Sequence, residues 1–572
     1  MLDRVRGDRP IPAGLYDRVV RDRQLRTVYI ATAAVAVLVF TAAAGVLAAA
    51  FPYSEWDSFA YGDWSRRLAA HGSFDPLTSG QFGAARPLFY AVQGLVWRVS
   101  GTSFTSGRLL SLGFALLLLV GVWGLVRRVT GDVVASSLAL LVVIAVPTFT
   151  AEALMGQSDV PAAAMVAVVA TLALRPAPVP RAWSAFVAAS ALLAVLTKPT
   201  VLIPLGSLAV YLIATRRDRR GSPWALAIGL AAGLFYDLVM SLRLHVSLVT
   251  FLRSGSNGTI FGVRSAHERW RVLADLGFLG PALRLPVACA LAYAVLALCG
   301  IAHRRAAVIA LAIGSTWTIV GPLASGGEGS FSTLEAGFAT VGFAALWAAF
   351  AAASADDAPP RRVLVVALVL LVPSVLVWAG GAAFTDRLVS AAWPGAALLV
   401  GSTLAVGVRR AARIGWAFAL APVPVVLAAV WIGVAGLDGL HGYEWVEVRS
   451  LGWAGLHDRS RTMNIVLPSI QSTLAAAEPL LGDGRLVTSD PRFSWFLHRV
   501  DTLVPLHCAD VAPYRVFVLS TSDESEYEAQ AVGGLATPAQ WEACKQPRLQ
   551  LVDAGDDGYA VFQISSAGTR AG

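Results

Sequence analysis

The apolar run VYIATAAVAVLVFTAAAGVLAAAF, residues 28–51, is followed almost directly by SEWDSFAYGDWSRRLAAHGSFDP, residues 54–76. An uninterrupted apolar run of this length is enough to cross about 30 Å of hydrocarbon as an α-helix. The polar stretch behind it carries four carboxylates, three Trp or Tyr rings and an Arg pair. A carboxylate so close to hydrocarbon is costly unless it lines a cavity or has a partner. The two stretches together predict a membrane-spanning helix followed by polar groups with a specific role.

The composition of the whole chain agrees with a membrane protein. Of 572 residues, 56% are hydrophobic and only 14% are charged, whereas soluble domains have about 25% charged residues. Apolar runs near the length of a membrane span recur along the chain. The thirteen candidate spans are approximately 28–51, 108–126, 133–149, 160–174, 183–197, 199–215, 223–241, 284–302, 306–322, 336–354, 363–381, 388–407 and 415–435.

Arginine-rich connections predict which side of the membrane each loop occupies. The segments LVRRVTG, TRRDRRGSP, PPRRV and VRRAARIG fall in alternate connections, and such loops are typically cytoplasmic. The N-terminal arm, residues 1–27, carries seven Arg and four Asp before the first span, which predicts a cytoplasmic arm and a signal anchor rather than a cleavable signal peptide. The expected organisation is this arm, a transmembrane domain at 28–435 with a first outer loop at 52–107, and an extracytoplasmic part at 436–572.

Residues 436–572 differ from the rest in charge and in pattern. They contain 17 acidic and 10 basic residues, a net charge of about −7, against about +15 for the remainder. The segments GRLVTSD, TLVPL, YRVFVLS, LQLVDAG and GYAVFQI read as strands, and GDDG between the last two reads as a hairpin turn. The predicted fold class is therefore a polytopic α-helical membrane protein of about 13 transmembrane helices with a C-terminal extracytoplasmic α/β domain.

Two features of this C-terminal part leave alternatives open. Cys508 and Cys544 pair as a disulfide if the domain faces an oxidising compartment, and otherwise they are buried free thiols. The segment PRFSWFLHR, with Phe493 and Trp495, forms either a sugar-stacking surface or an amphipathic helix that packs on its own sheet.

Several polar residues near the predicted outer ends of the spans also have two interpretations. Trp56, Tyr61 and Trp64 either form an interfacial aromatic belt or take part in a site. For Arg108 at the start of a span, snorkelling by itself would be a sufficient explanation. Asp159, which precedes Val-Pro, is either a helix N-cap or a functional carboxylate.

Lys198 and Asp237 lie inside predicted apolar segments. Lys198 is one of only two lysines against 43 arginines, and a charge at such a position is paired, snorkelling or functional. Phosphate binding, a structural partnership with a buried carboxylate and snorkelling are its three interpretations. Asp237 either lines a cavity or pairs with Arg243.

The order of these motifs resembles one family. DSFAY with Asp57 and Tyr61, ARPLFY with Arg86 and Tyr90, GR entering the next span, Asp159-Val-Pro, TKP and the late Arg-then-Pro pattern FTDRLVSAAWPG occur in sequence over roughly 28–410. This order is similar to the polytopic glycosyltransferases of the C superfamily (GT-C), and its nearest branch looks like the dolichyl-phosphate-mannose protein mannosyltransferase and lipid A aminoarabinose transferase group. Many relatives have a second acid directly after the Asp, whereas Ser58 follows Asp57 here.

The resemblance implies transfer of a sugar, a hexose or a pentose, from a polyprenyl-phosphate donor at the outer membrane face. The acceptor is a glycan, lipid or protein hydroxyl, and Asp57 matches the family's general base. Glu55 and Asp159 are the further catalytic candidates, and Tyr61, Arg86 and Tyr90 are the substrate-binding candidates. The candidates for binding the donor phosphate are Lys198, Arg387, Arg253 and Arg264.

The sequence leaves two roles open for the carboxylates Glu55 and Asp63 and also permits two alternative functions. Hard-metal sites use carboxylate oxygens, so Glu55 and Asp63 either hold a divalent cation, Mg or Mn, or bind a neighbouring Arg. Glycine clusters here lack the strand, loop and helix context of a nucleotide site, and no nucleic acid is expected as a partner. The intramembrane charges also fit a transporter or flippase of a lipid-linked saccharide, and a third interpretation is a non-catalytic envelope assembly protein.

Overall fold

The computed structural model describes most of the helical part of the chain and much of its C-terminal part. The described residues are 13–50, 56–71, 83–146, 149, 152–154, 156–176, 179–215, 221–255, 280–325, 343–344, 346–353, 357–380, 386–415, 470–497, 507–521, 535–554 and 558–565.

Fourteen helices before residue 416 are named here in chain order. They are α1 Ala13–Ala50, α2 Trp56–His71, α3 Pro87–Ser100, α4 Phe104–Thr130, α5 Val133–Ile144, α6 Asp159–Ala173, α7 Arg181–Thr197, α8 Leu202–Thr215, α9 Ser222–Arg243, α10 Leu248–Gly255, α11 Gly280–Leu298, α12 His303–Ser325, α13 Arg361–Gly380 and α14 Trp393–Ile414. Short 3₁₀-helices at Pro199–Val201 and Asp386–Ala392 precede α8 and α14.

Apolar helices account for most of the predicted spans. Within the described part of the chain, five are long and apolar enough to cross a membrane: Asp22–Gly45, Thr105–Thr130, Ser222–Arg243, Arg361–Ala379 and Val389–Ile414. Five shorter ones are Val133–Ile144, Asp159–Ala173, Arg181–Thr197, Pro199–Thr215 and Leu283–Leu298. The protein is therefore mostly helical and membrane-embedded. The predicted span 415–435 lies outside the described residues, and the total of thirteen stays a prediction.

Two element bounds differ from the sequence prediction. Helix α1 begins at Ala13, well inside the predicted arm. Within this extension, Arg26 and Asp22 lie one helical turn apart and form an ion pair at 2.5 Å, which stabilises the helix. Helix α5 ends at Ile144 rather than near 149. Pro147 follows, and a proline cannot donate the hydrogen bond that continued helix needs.

Helix α14 lies at the centre of the helical part. The apolar stretch of this helix is entirely buried inside the protein, and α14 packs against α5 and α13. A Cβ at Gly401 would lie 2.7 Å from the carbonyl oxygen of Ala135, so only glycine permits this close approach to α5. Close helix contact through small residues is the usual packing mode in membranes, where association has no hydrophobic driving force.

Residues 470–565 are called the C-terminal unit, and their described part contains a four-stranded sheet. The strands β1 Leu486–Thr488, β2 Val516–Ser520, β3 Arg548–Ala554 and β4 Tyr559–Ser565 have the order β1-β2-β4-β3. Strands β1 and β2 are parallel, whereas β4 is antiparallel to both β2 and β3.

The helices of the C-terminal unit and its disulfide complete the described fold. Helices α15 Gln471–Leu481, α16 Pro491–Phe496 and α17 Pro538–Glu542 accompany the sheet. Four predicted strands are present, and β3 and β4 pair in antiparallel orientation as the predicted hairpin requires. Residues 555–557 of the predicted turn GDDG and the predicted strand TLVPL lie outside the described residues. A disulfide joins Cys508 and Cys544, whose Cα atoms are 5.8 Å apart.

Candidate functional site

The aromatic residues of the first predicted outer loop form the contact between α2 and α3. Tyr61 meets Phe89 edge to face at a ring-centroid distance of 5.5 Å, and Trp64 meets Tyr90 at 5.4 Å. All four side chains are at most 3% exposed. The interfacial-belt interpretation is therefore wrong for Tyr61 and Trp64, because protein rather than lipid headgroups surrounds them.

The backbones of these two helices approach closely. A Cβ at Gly94 of α3 would lie 2.8 Å from the carbonyl oxygen of Ser65 in α2. Beside this contact, the Ser65 hydroxyl donates hydrogen bonds to the Tyr61 carbonyl oxygen at 2.6 Å and to Gln93 Oε1 at 3.0 Å. The pair α2 and α3 thus forms one packed unit that carries Tyr61 at its centre.

Arg86 and Tyr61 connect this unit to the second predicted outer connection. Arg86 is fully buried and directly precedes α3. The helix begins with Pro87, and proline is well suited to the first position of a helix. Its Nη1 donates to the Tyr61 hydroxyl, and that hydroxyl also shares a hydrogen bond of 2.8 Å with Ser158 Oγ. Tyr90, the third predicted substrate-binding residue, is fully buried and donates to the Gly83 carbonyl oxygen at 2.7 Å.

Next to Ser158 lies a buried ion pair. Lys198 Nζ is 2.5 Å from Asp159 Oδ1, with the two side chains 1% and 2% exposed. Lys198 ends α7 in an extended conformation, which is the conformation favoured before a proline such as Pro199. Ser390, from the 3₁₀-helix before α14, donates to the Asp159 carbonyl oxygen at 3.2 Å.

This geometry decides two of the alternatives left open by the sequence. Helix α6 begins at Asp159 itself, with Ser158 in the N-cap position and no side-chain cap hydrogen bond, so the N-cap interpretation of Asp159 is wrong. Snorkelling is wrong for Lys198, because its ammonium is buried against a carboxylate. The structural partnership is the interpretation that the structure matches, and phosphate binding by Lys198 stays a prediction.

Snorkelling is also wrong for Arg108. This side chain is 2% exposed, and its Nη1 donates to the Ala48 carbonyl oxygen at 2.9 Å. A cation is favoured near the C-terminal end of a helix such as α1, where carbonyl groups lack partners within the helix.

A second buried carboxylate lies on α2. Asp63 is fully buried, and its two oxygens are each 2.5 Å from an arginine nitrogen, one from Arg66 and one from Arg67. Of the two roles predicted for Asp63, the structure matches arginine binding. Within the described part of the chain, no group of three or more His, Cys, Asp or Glu side chains is placed to hold a metal ion.

Asp237 of α9 is a third buried carboxylate. It is fully buried, and among the described residues neither of its oxygens has a hydrogen-bond partner, so the predicted pairing with Arg243 is not formed. A Cβ at Gly233 would lie 2.5 Å from Val195 Cβ of α7. Asp237 stands one turn beyond Gly233 on the same helix face, toward the end of α7 that carries Lys198.

For the remaining predicted site residues, the structure gives either the position of the backbone only or no position. Asp57 is in the first turn of α2, one turn before Tyr61. Arg253 is in α10, which contacts the 3₁₀-helix after Lys198, and Arg387 is in the 3₁₀-helix that contains Ser390. The side chains of these three residues are not described. Glu55 and Arg264 lie outside the described residues.

The sequence interpretation missed two serines of this region and did not name Arg66 as an arginine that binds Asp63. Ser158 and Ser390 each bond to a predicted residue or its neighbour, and Arg66 binds Asp63. Serine is common in membrane helices and carries no distinguishing pattern, whereas Arg66, three residues after Asp63, has the helical spacing of an ion pair.

Comparisons with known proteins agree with the motif order. Residues 84–240 match the family model described as dolichyl-phosphate-mannose-protein mannosyltransferase. This span contains Arg86, Asp159 and Lys198. No curated protein matches the chain significantly.

Two solved structures align with most of the chain. ArnT from Cupriavidus metallidurans bound to undecaprenyl phosphate aligns at 14% identity and a TM-score of 0.44, over 94% of this chain and 97% of that chain. The archaeal oligosaccharyltransferase AglB from Archaeoglobus fulgidus, in complex with an inhibitory peptide and a dolichol-phosphate, aligns at 12% identity and a TM-score of 0.45, over 94% of this chain and 74% of that chain. The resemblance indicated by the motif order is confirmed by the family model, and the chain is similar, over residues 84–240, to the dolichyl-phosphate-mannose-protein mannosyltransferases.

Proposed function

We propose that this protein transfers a sugar from a polyprenyl-phosphate-linked donor to an acceptor hydroxyl at the outer face of the membrane. In this proposal the chain has thirteen spans, a cytoplasmic N-terminus and an extracytoplasmic C-terminal unit. The transferred sugar is a hexose or a pentose, and the acceptor is a glycan, a lipid or a protein.

The observation that carries the proposal is the link between two predicted outer loops. Tyr61 of the first loop bonds to Ser158 at 2.8 Å, and the neighbouring Asp159 forms the buried pair with Lys198 at 2.5 Å. Residues far apart in sequence thus meet at one end of the helices, within or next to the span that matches the mannosyltransferase family model. A burial of several charges at one place in a membrane protein is expensive, and it usually marks a functional site.

In the proposed reaction, a carboxylate of the first outer loop accepts the proton of the acceptor hydroxyl. The acceptor oxygen forms a bond to the anomeric carbon while the bond from that carbon to the phosphate oxygen breaks. The acceptor proton passes to the Asp57 carboxylate, and the electron pair of the broken bond leaves with the polyprenyl phosphate. Asp57 suits this role because α2 places it one turn before Tyr61, and a positioned carboxylate is an effective general base.

The departing phosphate requires cationic groups. Arg387 is the first choice, because the 3₁₀-helix that carries it reaches Asp159 through Ser390. Arg253 follows, since α10 contacts the 3₁₀-helix after Lys198, and Arg264 is the third candidate. Lys198 contributes if its ammonium binds a phosphate oxygen while it stays paired with Asp159.

A divalent cation, Mg or Mn, remains part of the proposal only through Glu55, because Asp63 is bound by two arginines.

The test uses purified protein and a panel of radiolabelled polyprenyl-phosphate sugars, with donor consumption as the readout. Asp57→Asn keeps the shape of the side chain but removes the base, so turnover is expected to fall by a factor of about 10²–10⁴. Asp357→Asn, at the other end of the helices, is the matched control and is expected to retain turnover. Near-normal turnover by folded Asp57→Asn would reject this base, and loss only in folded Asp159→Asn would move the role there.

The phosphate assignment has its own readout. Arg387→Ala is expected to raise the donor KM while the acceptor KM changes little. A charge-assisted contact is worth about 1.5–3 kcal/mol, which corresponds to roughly a 10- to 150-fold rise in donor KM. An unchanged donor KM would leave Arg387 as a structural cation.

The alternative function is a transporter or flippase of a lipid-linked saccharide. It is favoured by Asp237, a buried carboxylate whose oxygens have no hydrogen-bond partner among the described residues. Reconstituted proteoliposomes separate the two functions. A transporter moves the lipid-linked saccharide with its phosphate–sugar bond intact, whereas the proposed enzyme breaks that bond.

A further inference from the structure

The short helix α16 of the C-terminal unit docks on α2, the helix that carries Asp57 and Tyr61. Arg66 of α2 donates from Nη1 to the Trp495 carbonyl oxygen at 3.2 Å and from Nη2 to the Ser494 carbonyl oxygen at 3.1 Å. The same guanidinium lies 5.0 Å from the centre of the Trp495 ring and binds Asp63 at 2.5 Å. One arginine therefore joins the C-terminal unit to a buried carboxylate of α2.

The Trp495 ring fills a recess between α2 and α3. It is 8% exposed and lies 6.3 Å from the Phe59 ring and 6.1 Å from the Trp97 ring, measured between centroids. A Cβ at Gly62 would be 3.3 Å from Trp495 Cζ3, so the glycine leaves room for the ring. The sugar-stacking interpretation of Trp495 is wrong in this state, since protein covers the ring.

Packing on its own sheet, the other interpretation of this segment, holds for Phe493, and Phe496 and Leu497 also pack against that core. The Phe493 ring meets the Tyr559 ring of β4 at 4.8 Å. Trp495, two residues later, packs instead on the helical part. Of the three aromatic residues of α16, Phe493 thus packs on the sheet, Trp495 packs on the helical part, and Phe496 contacts both.

A polar network fixes α16 to the sheet. Asp490 caps the helix by accepting from the Arg492 backbone N–H at 2.9 Å, and the Tyr559 hydroxyl donates to Asp490 Oδ2 at 2.7 Å. The Arg492 side chain also binds the Asp490 carboxylate, at 2.7 Å. Because Asp490 is 3% exposed, these charge-assisted bonds lie away from solvent and are strong.

A continuous series of contacts therefore runs from β4 through Asp490 and α16 to α2. We infer that the C-terminal unit is a positioning element, in which Trp495 and Arg66 hold α2 so that Asp57 and Tyr61 keep their places in the site. This inference rests on the proposed function for its catalytic part, whereas the docking itself does not depend on that function. Trp495 and Arg66 are positioning residues, because they act on the reaction only through α2.

The test combines two readouts on the full-length protein in detergent or nanodiscs. Hydrogen exchange of the peptide covering 56–71 reports the docking, and donor-dependent turnover reports its consequence. Trp495→Ala is expected to speed exchange in this peptide and to lower kcat by about 10- to 100-fold, since small misplacements of catalytic groups have effects of this order. The donor KM is expected to change little, because the groups that bind the donor phosphate are on other elements.

Further variants separate positioning from general damage. Trp495→Phe is expected to restore most of the exchange protection and kcat, because a smaller ring still occupies the recess. Gly62→Leu is expected to reproduce the effect of Trp495→Ala from the α2 side, since its side chain would displace the ring. The matched control Gln550→Ala, at an exposed position of β3, is expected to change neither readout.

Two results would overturn the inference. One is unchanged exchange of the α2 peptide in both Trp495→Ala and Gly62→Leu, and the other is faster exchange without any loss of kcat. If the wild-type protein consumed none of the donors, the proposed function would fail, and the exchange readout would then decide the docking alone.

Discussion

The two ends of the helical part hold their charged residues in opposite ways. At one end, Arg413 binds Asp357 with side-chain exposures of 54% and 23%, and Arg409 binds Asp132 with exposures of 39% and 12%. At the other end, Asp159 and Lys198 are 2% and 1% exposed, and Asp63 is fully buried between two arginines. The first end is solvated, whereas the second keeps ion pairs away from water.

This difference separates ion pairs by what they contribute. An exposed pair gains about 0–1 kcal/mol because water and salt screen it. A buried pair has lost several kcal/mol of hydration per ion, and an apolar replacement of the same volume is often equally stable. The buried pair at Asp159 and Lys198 is therefore not explained by stability alone, which agrees with a site at that end of the protein. The following variants test the contrast, in order of decreasing effect.

The largest effect is expected from breaking the buried pair on one side. Lys198→Met removes the ammonium next to Asp159 and is expected to lower the free energy of unfolding by about 3–5 kcal/mol. The double variant Lys198→Met/Asp159→Asn removes both charges and is expected to be more stable than the single variant. Denaturant unfolding in detergent measures both. A double variant that loses as much as the sum of the two single variants would contradict a coupled pair.

The C-terminal unit, which docks at the buried-charge end, is stabilised covalently. Replacing Cys508 and Cys544 by Ala is expected to cost about 2–4 kcal/mol, because the disulfide restricts the unfolded chain. In the unreduced protein an alkylating reagent is expected to label neither cysteine, whereas the exposed free thiol of Cys299 serves as the labelled control. Alkylation of Cys508 or Cys544 without prior reduction would show that the disulfide is absent.

Most of the helical fold is predictable from the sequence, because lipid imposes a long apolar run on each span. The β3–β4 hairpin is predictable as well, since alternating apolar residues flank a turn of Gly and Asp. The order of DSFAY, ARPLFY and Asp-Val-Pro predicts the family resemblance. Each span, turn or motif lies within a short stretch of chain, and the family resemblance requires only the order of such stretches.

The contacts within the site are not predictable in this way. Tyr61 and Ser158 are 97 positions apart, and Arg66 and Trp495 are 429 positions apart. Helices such as α5 are apolar on every side, so no polar face indicates which neighbour each one contacts. The partner of Lys198 follows only from the packing of α6 beside α7. Asp237 illustrates the same limit, because its sequence position suggests Arg243 as a partner and the fold does not form that pair.

A smaller effect is expected at the second buried carboxylate. Asp63→Asn weakens the contacts to Arg66 and Arg67, and hydrogen bonds to charged groups are worth about 1.5–3 kcal/mol. The loss is expected to appear as faster hydrogen exchange in α2. Asp22→Asn, which removes an exposed pair with Arg26, is the matched control with no expected change. Equal exchange in the two variants would mean that burial of Asp63 adds nothing to its pairing.

The smallest effect is expected at the solvated end, where Arg413→Gln tests the other half of the contrast. Arg413 binds Asp357 through both terminal nitrogens, at 2.9 and 2.7 Å, which is a favourable geometry for an arginine and a carboxylate. The 54% exposure of Arg413 nevertheless leaves the pair open to water, so the expected loss in the free energy of unfolding is only about 0.2–1 kcal/mol. Added salt is expected to reduce even this difference, because the Debye length falls to about 3 Å at 1 M, whereas the loss caused by Lys198→Met is expected to persist. Denaturant unfolding of wild type, Arg413→Gln and Lys198→Met at low and high salt provides the comparison. If Arg413→Gln lost as much stability as Lys198→Met, and equally at both salt concentrations, burial would not be what distinguishes the two ends.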